Sequence, residues 1–125
     1  MNWLKSATLS PRRISSLRRW DTHTPLRKPS QVSIGRIATW LDSEGTIRDG
    51  GIVIHQQNPA CLYWIQKMLE YGTVAERSDG CWYYRLTGRR RVYQLLTWCL
   101  PYLFTKKHEA KEWLDGTKPH YRTYA

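Results

Sequence analysis

Acidic residues are scarce in this chain. Ten Asp and Glu stand against twenty Lys and Arg, for a net charge of +10 and a pI near 9.9. That imbalance points to a polyanion or an anionic surface as partner. Long apolar runs are missing as well. The longest, Leu95–Phe104, is interrupted by Pro101 and falls short of the roughly 20 residues of a membrane helix, so no membrane partner is expected. Cysteine is sparse: Cys61, Cys81 and Cys99 are odd in number and lack metal-ligand spacing. This excludes a disulfide framework and predicts free, mostly buried thiols in a reducing compartment. The four His are scattered and none has another at i+4, which argues against a zinc site.

A chain of 125 residues is one domain, large enough for a real core. Its charge is uneven. Residues 1–30 carry seven Lys and Arg against Asp21 alone, so six of the ten net charges lie there. Pro11-Arg12-Arg13, Arg18-Arg19 and Leu26-Arg27-Lys28-Pro29 are mixed with Ser and Thr and show little apolar periodicity. The expectation is a basic, flexible or loosely docked N-terminal extension over 1–30, with Ile14, Leu17 and Trp20 able to line a short helix. Three uses stay open: an organellar transit peptide, an arm following nucleic-acid phosphates, or a remnant of upstream coding sequence. The globular part is then 31–116, followed by a tail over 117–125.

Pro29-Ser30 marks the boundary, with Ser30 or Ser33 as N-cap of a first helix. Two short strands, Thr46–Arg48 and Ile52–Gln56, flank the turn signal Asp49-Gly50. Asn58-Pro59 opens a second helix to Tyr71, with Leu62, Ile65 and Leu69 inward and Gly72 ending it. A second hairpin, Thr73–Arg77 and Cys81–Leu86, surrounds Ser78-Asp79-Gly80. Thr87 opens a third helix with Val92, Leu95, Leu96, Cys99 and Leu100 on one stripe, stopped by Pro101. A last helix runs from Thr105 as cap through Leu114 and closes at Gly116. The predicted order is α-β-β-α-β-β-α-α, an α+β chain.

The stretch that organises the rest is Ile37-Ala38-Thr39-Trp40-Leu41-Asp42-Ser43-Glu44-Gly45. Ile34, Ile37, Ala38 and Leu41 recur at i, i+3, i+4 and i+7, one stripe of a helix. Gly35, Ala38 and Thr39 put small side chains on or beside it, so a second helix could approach closely. Asp42 and Glu44 then arrive with Gly45, which suits a helix C-cap. Carboxylates are unfavourable at the negative end of a helix, by about 0.3–1 kcal/mol. A sequence that accepts them suggests a waiting cation, such as a divalent metal.

These nine residues resemble the LAGLIDADG motif of homing endonucleases, with apolar residues at the first, fourth and fifth positions, Asp42 sixth, Glu44 eighth and Gly45 ninth. The likeness extends from about Ser33 to Ala110, well over half of the chain. It implies the LAGLIDADG fold, a curved antiparallel saddle of two hairpins per half with motif helices packed together. It implies a homodimer, since one motif per chain supplies one acidic tip, and a two-fold axis supplies the second. Gly35, Ala38, Thr39 and Asp42 are the expected dimer interface. Glu44 stands where the family has its metal-binding carboxylate, and Ser43 would lend a backbone carbonyl, with Mg²⁺ as the divalent metal. Gln56 matches the polar residue that orders water near the scissile phosphate, with Gln57 as fallback. In Leu100-Pro101-Tyr102-Leu103-Phe104-Thr105-Lys106-Lys107, Lys106 matches the basic residue of the active site, with Lys107 second.

DNA contacts are expected from the strand faces opposite the core: Thr46, Arg48, Val53 and His55 on the first hairpin, and Arg77, Tyr83 and Arg85 on the second. Arg89 and Arg90, beside Arg91 at the start of the third helix, suit phosphate; Trp82 and Tyr84 read as core. Three departures stand out. Thr39 replaces the motif's Gly, Glu44 is one methylene longer than Asp, and only ten residues separate Gly45 from Gln56, a short first hairpin. The resemblance therefore implies a site-specific endonuclease cleaving double-stranded DNA. The alternative is a non-cleaving nucleic-acid-binding module on the same fold, an intron RNA maturase or a DNA-binding regulator. A basic ribosome-associated protein would leave the acidic helix tip unexplained.

Overall fold

The computed structural model describes residues 11–17 and 24–121. Strand β1 (Pro11–Leu17) precedes helix α1 (Gln31–Glu44), the hairpin β2 (Gly45–Arg48) and β3 (Gly51–Gln56), and helix α2 (Ala60–Leu69). A second hairpin, β4 (Gly72–Arg77) and β5 (Trp82–Leu86), leads to α3 (Arg89–Cys99), a 3₁₀ turn at Leu100–Tyr102, and α4 (Lys107–Tyr121). The predicted order holds from α1 onward. All pairings are antiparallel and the five strands lie in the order β1-β4-β5-β3-β2.

The helices cover one face of the sheet because their apolar stripes have nowhere else to go. Ile34, Ile37, Ala38 and Leu41 of α1, Leu62, Ile65 and Leu69 of α2, and Val92, Leu95, Leu96 and Cys99 of α3 are all buried. They meet Ile52, Ile54, Val74, Trp82, Tyr84 and Leu86 from the strands in one core. Each such side chain contributes about 1.5–3 kcal/mol when removed from water. Strand alternation then sends Thr46, Arg48, Val53, His55, Thr73, Ala75, Arg77, Tyr83 and Arg85 to the opposite face. Local signals set the helix starts. Ser30 is the N-cap of α1, its Oγ accepting from the Ser33 N–H at 3.2 Å. Asn58 Oδ1 accepts from the Ala60 N–H at 2.9 Å at the start of α2.

Several expectations change. Residues 11–17 form an edge strand, not a helix, and Ile14 and Leu17 are exposed. Gln66, buried on α2, holds that strand: its Nε2 donates to the Ser15 carbonyl at 2.8 Å and to the Gly72 carbonyl at 3.1 Å. Nor does the ordered fold begin at residue 30. Leu26 is buried in the core and its N–H donates to Gln94 Oε1 on α3 at 2.8 Å. Arg91 Nε donates to the Thr24 carbonyl at 2.8 Å, and its guanidinium lies 3.7 Å from the Tyr71 ring centroid. Residues 11–17 pair along β4 and Leu26 packs beside α3, long-range placements that leave no periodic signal in the sequence. Trp20 lies outside the described residues. At the other end, the α4 backbone passes through Gly116 to Tyr121. Gly lowers helix propensity by about 1 kcal/mol and does not by itself stop a helix. The three cysteines are free, and burial pushes the Cys99 thiol up to about 12.

Two glycines are fixed by close approach. A Cβ on Gly45 would lie 2.4 Å from the Leu41 carbonyl oxygen, so Gly45 ends α1 by contact and not by a left-handed φ. Gly51 has φ 144°, and a Cβ there would lie 2.2 Å from the Leu86 carbonyl oxygen. Gly50, in the turn itself, has nothing within 4 Å. Gly51→Ala is therefore expected to lower stability by more than about 2 kcal/mol, and Gly50→Ala by under about 1 kcal/mol. Urea denaturation of both variants checks this; equal losses would show that β3 is not pinned against Leu86.

Candidate functional site

The site forms at the C-terminal end of α1, where the last four carbonyls of a helix lack intrahelical donors. The Leu41 carbonyl takes the Gly45 N–H that caps the helix. Asp42 organises the rest. Its Oδ1 accepts the Phe104 N–H at 3.0 Å and the Lys106 N–H at 2.8 Å. Its own carbonyl receives Lys106 Nζ at 3.3 Å. Partial burial would raise the Asp42 carboxyl. The backbone N–H groups of Lys106, Thr105 and Phe104, with the Lys106 charge, overcome this and hold it below the usual aspartate value. Asp42 thus ties the end of α1 to the turn before α4.

This clamp delivers Lys106 to the α1 tip. Lys106 is half-buried, whereas Lys107, the first residue of α4, points to solvent. Glu44 is exposed, with no hydrogen-bond or ion-pair partner among the described residues. Ser43 places its hydroxyl on the Thr39 carbonyl at 3.0 Å, and its own carbonyl is one of the last-turn group. Gln56 ends β3, half-buried on the side of Ile52 and Ile54 as strand parity predicted; Gln57 is exposed. Gly45 pairs with Ile54, and the Glu44 charge acts on His55, the next residue of β3.

His55 is half-buried, with its ring centroid 6.2 Å from that of Tyr83. Burial lowers its pKa first, and Arg77 adds to this, against the opposing charges of Asp79 and Glu44. Burial thus favours the neutral imidazole, and its buried Nε2 has no hydrogen-bond partner among the described residues.

On the sheet face away from the helices the structure keeps some predicted contacts and withdraws others. Arg48 is exposed, while Thr46 and Arg85 are half-buried. Val53 and Tyr83 are buried with Ala75 in a small second cluster, so neither side chain is free to touch a ligand there. Arg77 is mostly covered and pairs with Asp79 at 3.5 Å. Arg89 is exposed and Arg90 half-buried. On α1, Ala38 is fully buried in the chain's own core and is not available to a partner helix. Gly35 and Thr39 remain on the outer side, beside exposed Val32. Thr39 turns its hydroxyl onto the Gly35 carbonyl at 2.9 Å. Sequence reasoning missed β1, whose outward Ile14 and Ser16 extend the outer face, and missed Thr73. The alternation of Val74 would have revealed Thr73 on the outer face.

The donor set suits Mg²⁺ as half of a site. Glu44 offers an open carboxylate and Ser43 a carbonyl, and Mg²⁺ takes one or two carboxylates, several waters and substrate phosphate oxygens. No group of three or more His, Cys, Asp or Glu converges among the described residues.

No protein-family model matches the chain, and no curated protein matches it. Solved structures do. A homing endonuclease, I-CvuI, in complex with its target in the presence of 2 mM Ca, is similar over 68% of this chain, with TM-score 0.62 and 27% identity. I-CvuI in complex with the I-CreI target and 2 mM Mg, with the DNA not cleaved, is similar over 74% of this chain, with TM-score 0.62 and 26% identity. This chain spans 65% of the first neighbour, just under two thirds, and 71% of the second. The fold is that of the LAGLIDADG homing endonucleases.

The clamp gives a test of its own. Asp42→Ala is expected to reduce stability by about 1–2 kcal/mol, a value discounted for partial exposure. Because the folded pKa lies below the ordinary 3.8, the contribution is present above that value and disappears as pH falls through the folded pKa. Melting curves from pH 2 to pH 7 should show wild type losing its advantage over Asp42→Ala at the acid end. A constant gap would mean that the carboxylate charge is not what holds residues 104–106.

Proposed function

We propose that this chain, built on the LAGLIDADG homing-endonuclease fold, is a site-specific DNA endonuclease that acts on double-stranded DNA as a homodimer with Mg²⁺. The observation that carries the reading is the α1 tip: unpaired Glu44, the last-turn carbonyl of Ser43 and Lys106 lie together at one helix end. That end passes directly into β2, whose outward Thr46 and Arg48 belong to the basic face of the sheet.

Glu44 and the Ser43 carbonyl would hold the metal. Bound there, a divalent ion supplies charge stabilisation at phosphate and a water of lowered pKa. Lys106 brings positive charge beside the same tip and offsets the charge that builds on a phosphodiester. Gln56, at the end of β3, has an amide that can orient water. Arg48, Arg85, Arg89 and Arg90 serve phosphate or guanine. A second copy, related by a two-fold axis, would supply the other acidic tip. The outer stripe of α1 suits that contact. Gly35 has open space above it, and Thr39 has already spent its hydroxyl inside the helix, so no polar group is stranded when the stripe is covered.

One observation favours a second reading. The first hairpin has strands of four and six residues, and Val53 lies buried beside it. Few side chains are left there to read bases, which suits a non-cleaving module that binds DNA or intron RNA.

Two measurements separate these readings. Glu44→Gln should abolish nicking of a randomised DNA library in Mg²⁺ while leaving melting temperature and DNA affinity unchanged. Nicking that survives the substitution removes Glu44 from the chemistry, and a wild type that binds without ever nicking favours the binding module. Gly35→Leu adds bulk only on the outer side of α1. It should convert a dimer to a folded monomer in sedimentation, and a variant that stays dimeric would place the interface elsewhere.

A further inference from the structure

We infer that β1 is an added recognition strand, which extends the DNA-reading face at the edge of the sheet opposite the short first hairpin. The inference rests on the proposed DNA-binding function and goes beyond it, because residues 11–17 carry no part of the motif or of the two hairpins.

The strand has two distinct sides. Its inner side is fixed by Gln66, which binds the Ser15 carbonyl at 2.8 Å and receives the Ser15 hydroxyl at 3.5 Å. Fixing Ser15 inward sends Ile14 and Ser16 outward, onto the face that carries Arg48, Arg77 and Arg85. The register agrees: Ile14 pairs with Ala75 and Ser16 with Thr73. On that face the Ser16 and Thr73 hydroxyls lie 3.1 Å apart. Ile14 is 61% exposed, on a strand held by its pairing with β4 and by Gln66 from below.

An edge strand presents unpaired backbone groups and here also an outward apolar side chain, a surface that a partner can cover. The charge around it selects the cover. The outer-face cations and a net charge of +10 fit a polyanion, and a sheet face in the major groove meets thymine methyls as its apolar feature. Ile14 fits that methyl. The Ser16–Thr73 hydroxyl pair can donate to and accept from a neighbouring base edge or phosphate. One extra strand widens the face by about 4.8 Å, more than one base-pair step of about 3.4 Å. Recognition is thereby displaced from the β2 edge toward the β1 edge.

The test selects preferred sites from a randomised double-stranded DNA library with the full chain at fixed salt, then titrates the selected site. Wild type is compared with Ile14→Thr, Ile14→Ala and Ser16→Ala. Ile14→Thr keeps the β-branched shape, so a change in fold cannot account for its effect, and melting curves check each variant. The expected result is loss of preference at one or two adjacent positions at one end of each half-site. Affinity for the wild-type site should fall about tenfold, the scale of one lost base contact. Unchanged preference and affinity in all three variants would reduce β1 to an edge cover and overturn the inference. A wild type that selects no sequence would instead overturn the DNA-reading function itself, a separate failure.

Discussion

The whole candidate site depends on one carboxylate gripping the backbone of a distant turn. Asp42 sits in the last turn of α1, where the helix dipole is negative and another negative charge is unwelcome. The clash is resolved by the turn that leads into α4, whose backbone N–H groups point at the carboxylate. Phe104 and Lys106 donate to the carboxylate, and Lys106 adds its ammonium to the carbonyl beneath it. The end of α1 and the turn before α4 are therefore held together. With Asp42 satisfied inside the chain, Glu44 two residues on is left exposed to meet something else.

The sheet divides its labour by strand alternation. Its inner face is packed against the helices. The outer face is set by what remains: arginines, hydroxyls, a histidine and a small apolar patch of Val53, Ala75 and Tyr83. That patch stiffens the face but withdraws two side chains from contact. Gln66 on α2 binds both Gly72 of β4 and Ser15 of β1. A single buried amide thus reinforces from below the ladder that pairs β1 with β4.

Helix α1 shows how one element serves two surfaces. Its inner stripe is satisfied by the core and offers nothing to a partner. The outer stripe is small and internally hydrogen-bonded, since Thr39 and Ser43 return their hydroxyls to carbonyls one turn earlier. Thr39 leaves a methyl on this exposed surface. Trp40 at the margin rests edge-on against Trp64, with ring centroids 5.7 Å apart, and Arg36 lies over the same Trp64 ring.

By itself the sequence determined what is periodic or local. The α1 stripe, the two hairpins, the α-β-β-α-β-β-α-α order, the inward Trp82 and Tyr84 and the acidic tip of α1 are all written in short-range patterns, because helix and strand periods act over a few residues. Lys106 and Gln56 were legible only through the resemblance of the stretch to a known family. Tertiary structure alone decided the rest. Asp42 meets Phe104 and Lys106 across more than sixty residues of chain, and Gln66 meets Ser15 across fifty-one. No spacing rule predicts such pairs, since each depends on where two independent elements land. The same holds for Ala38, Val53 and Tyr83. Their residue types allowed either surface or core, and the packing of the second layer of side chains chose the core.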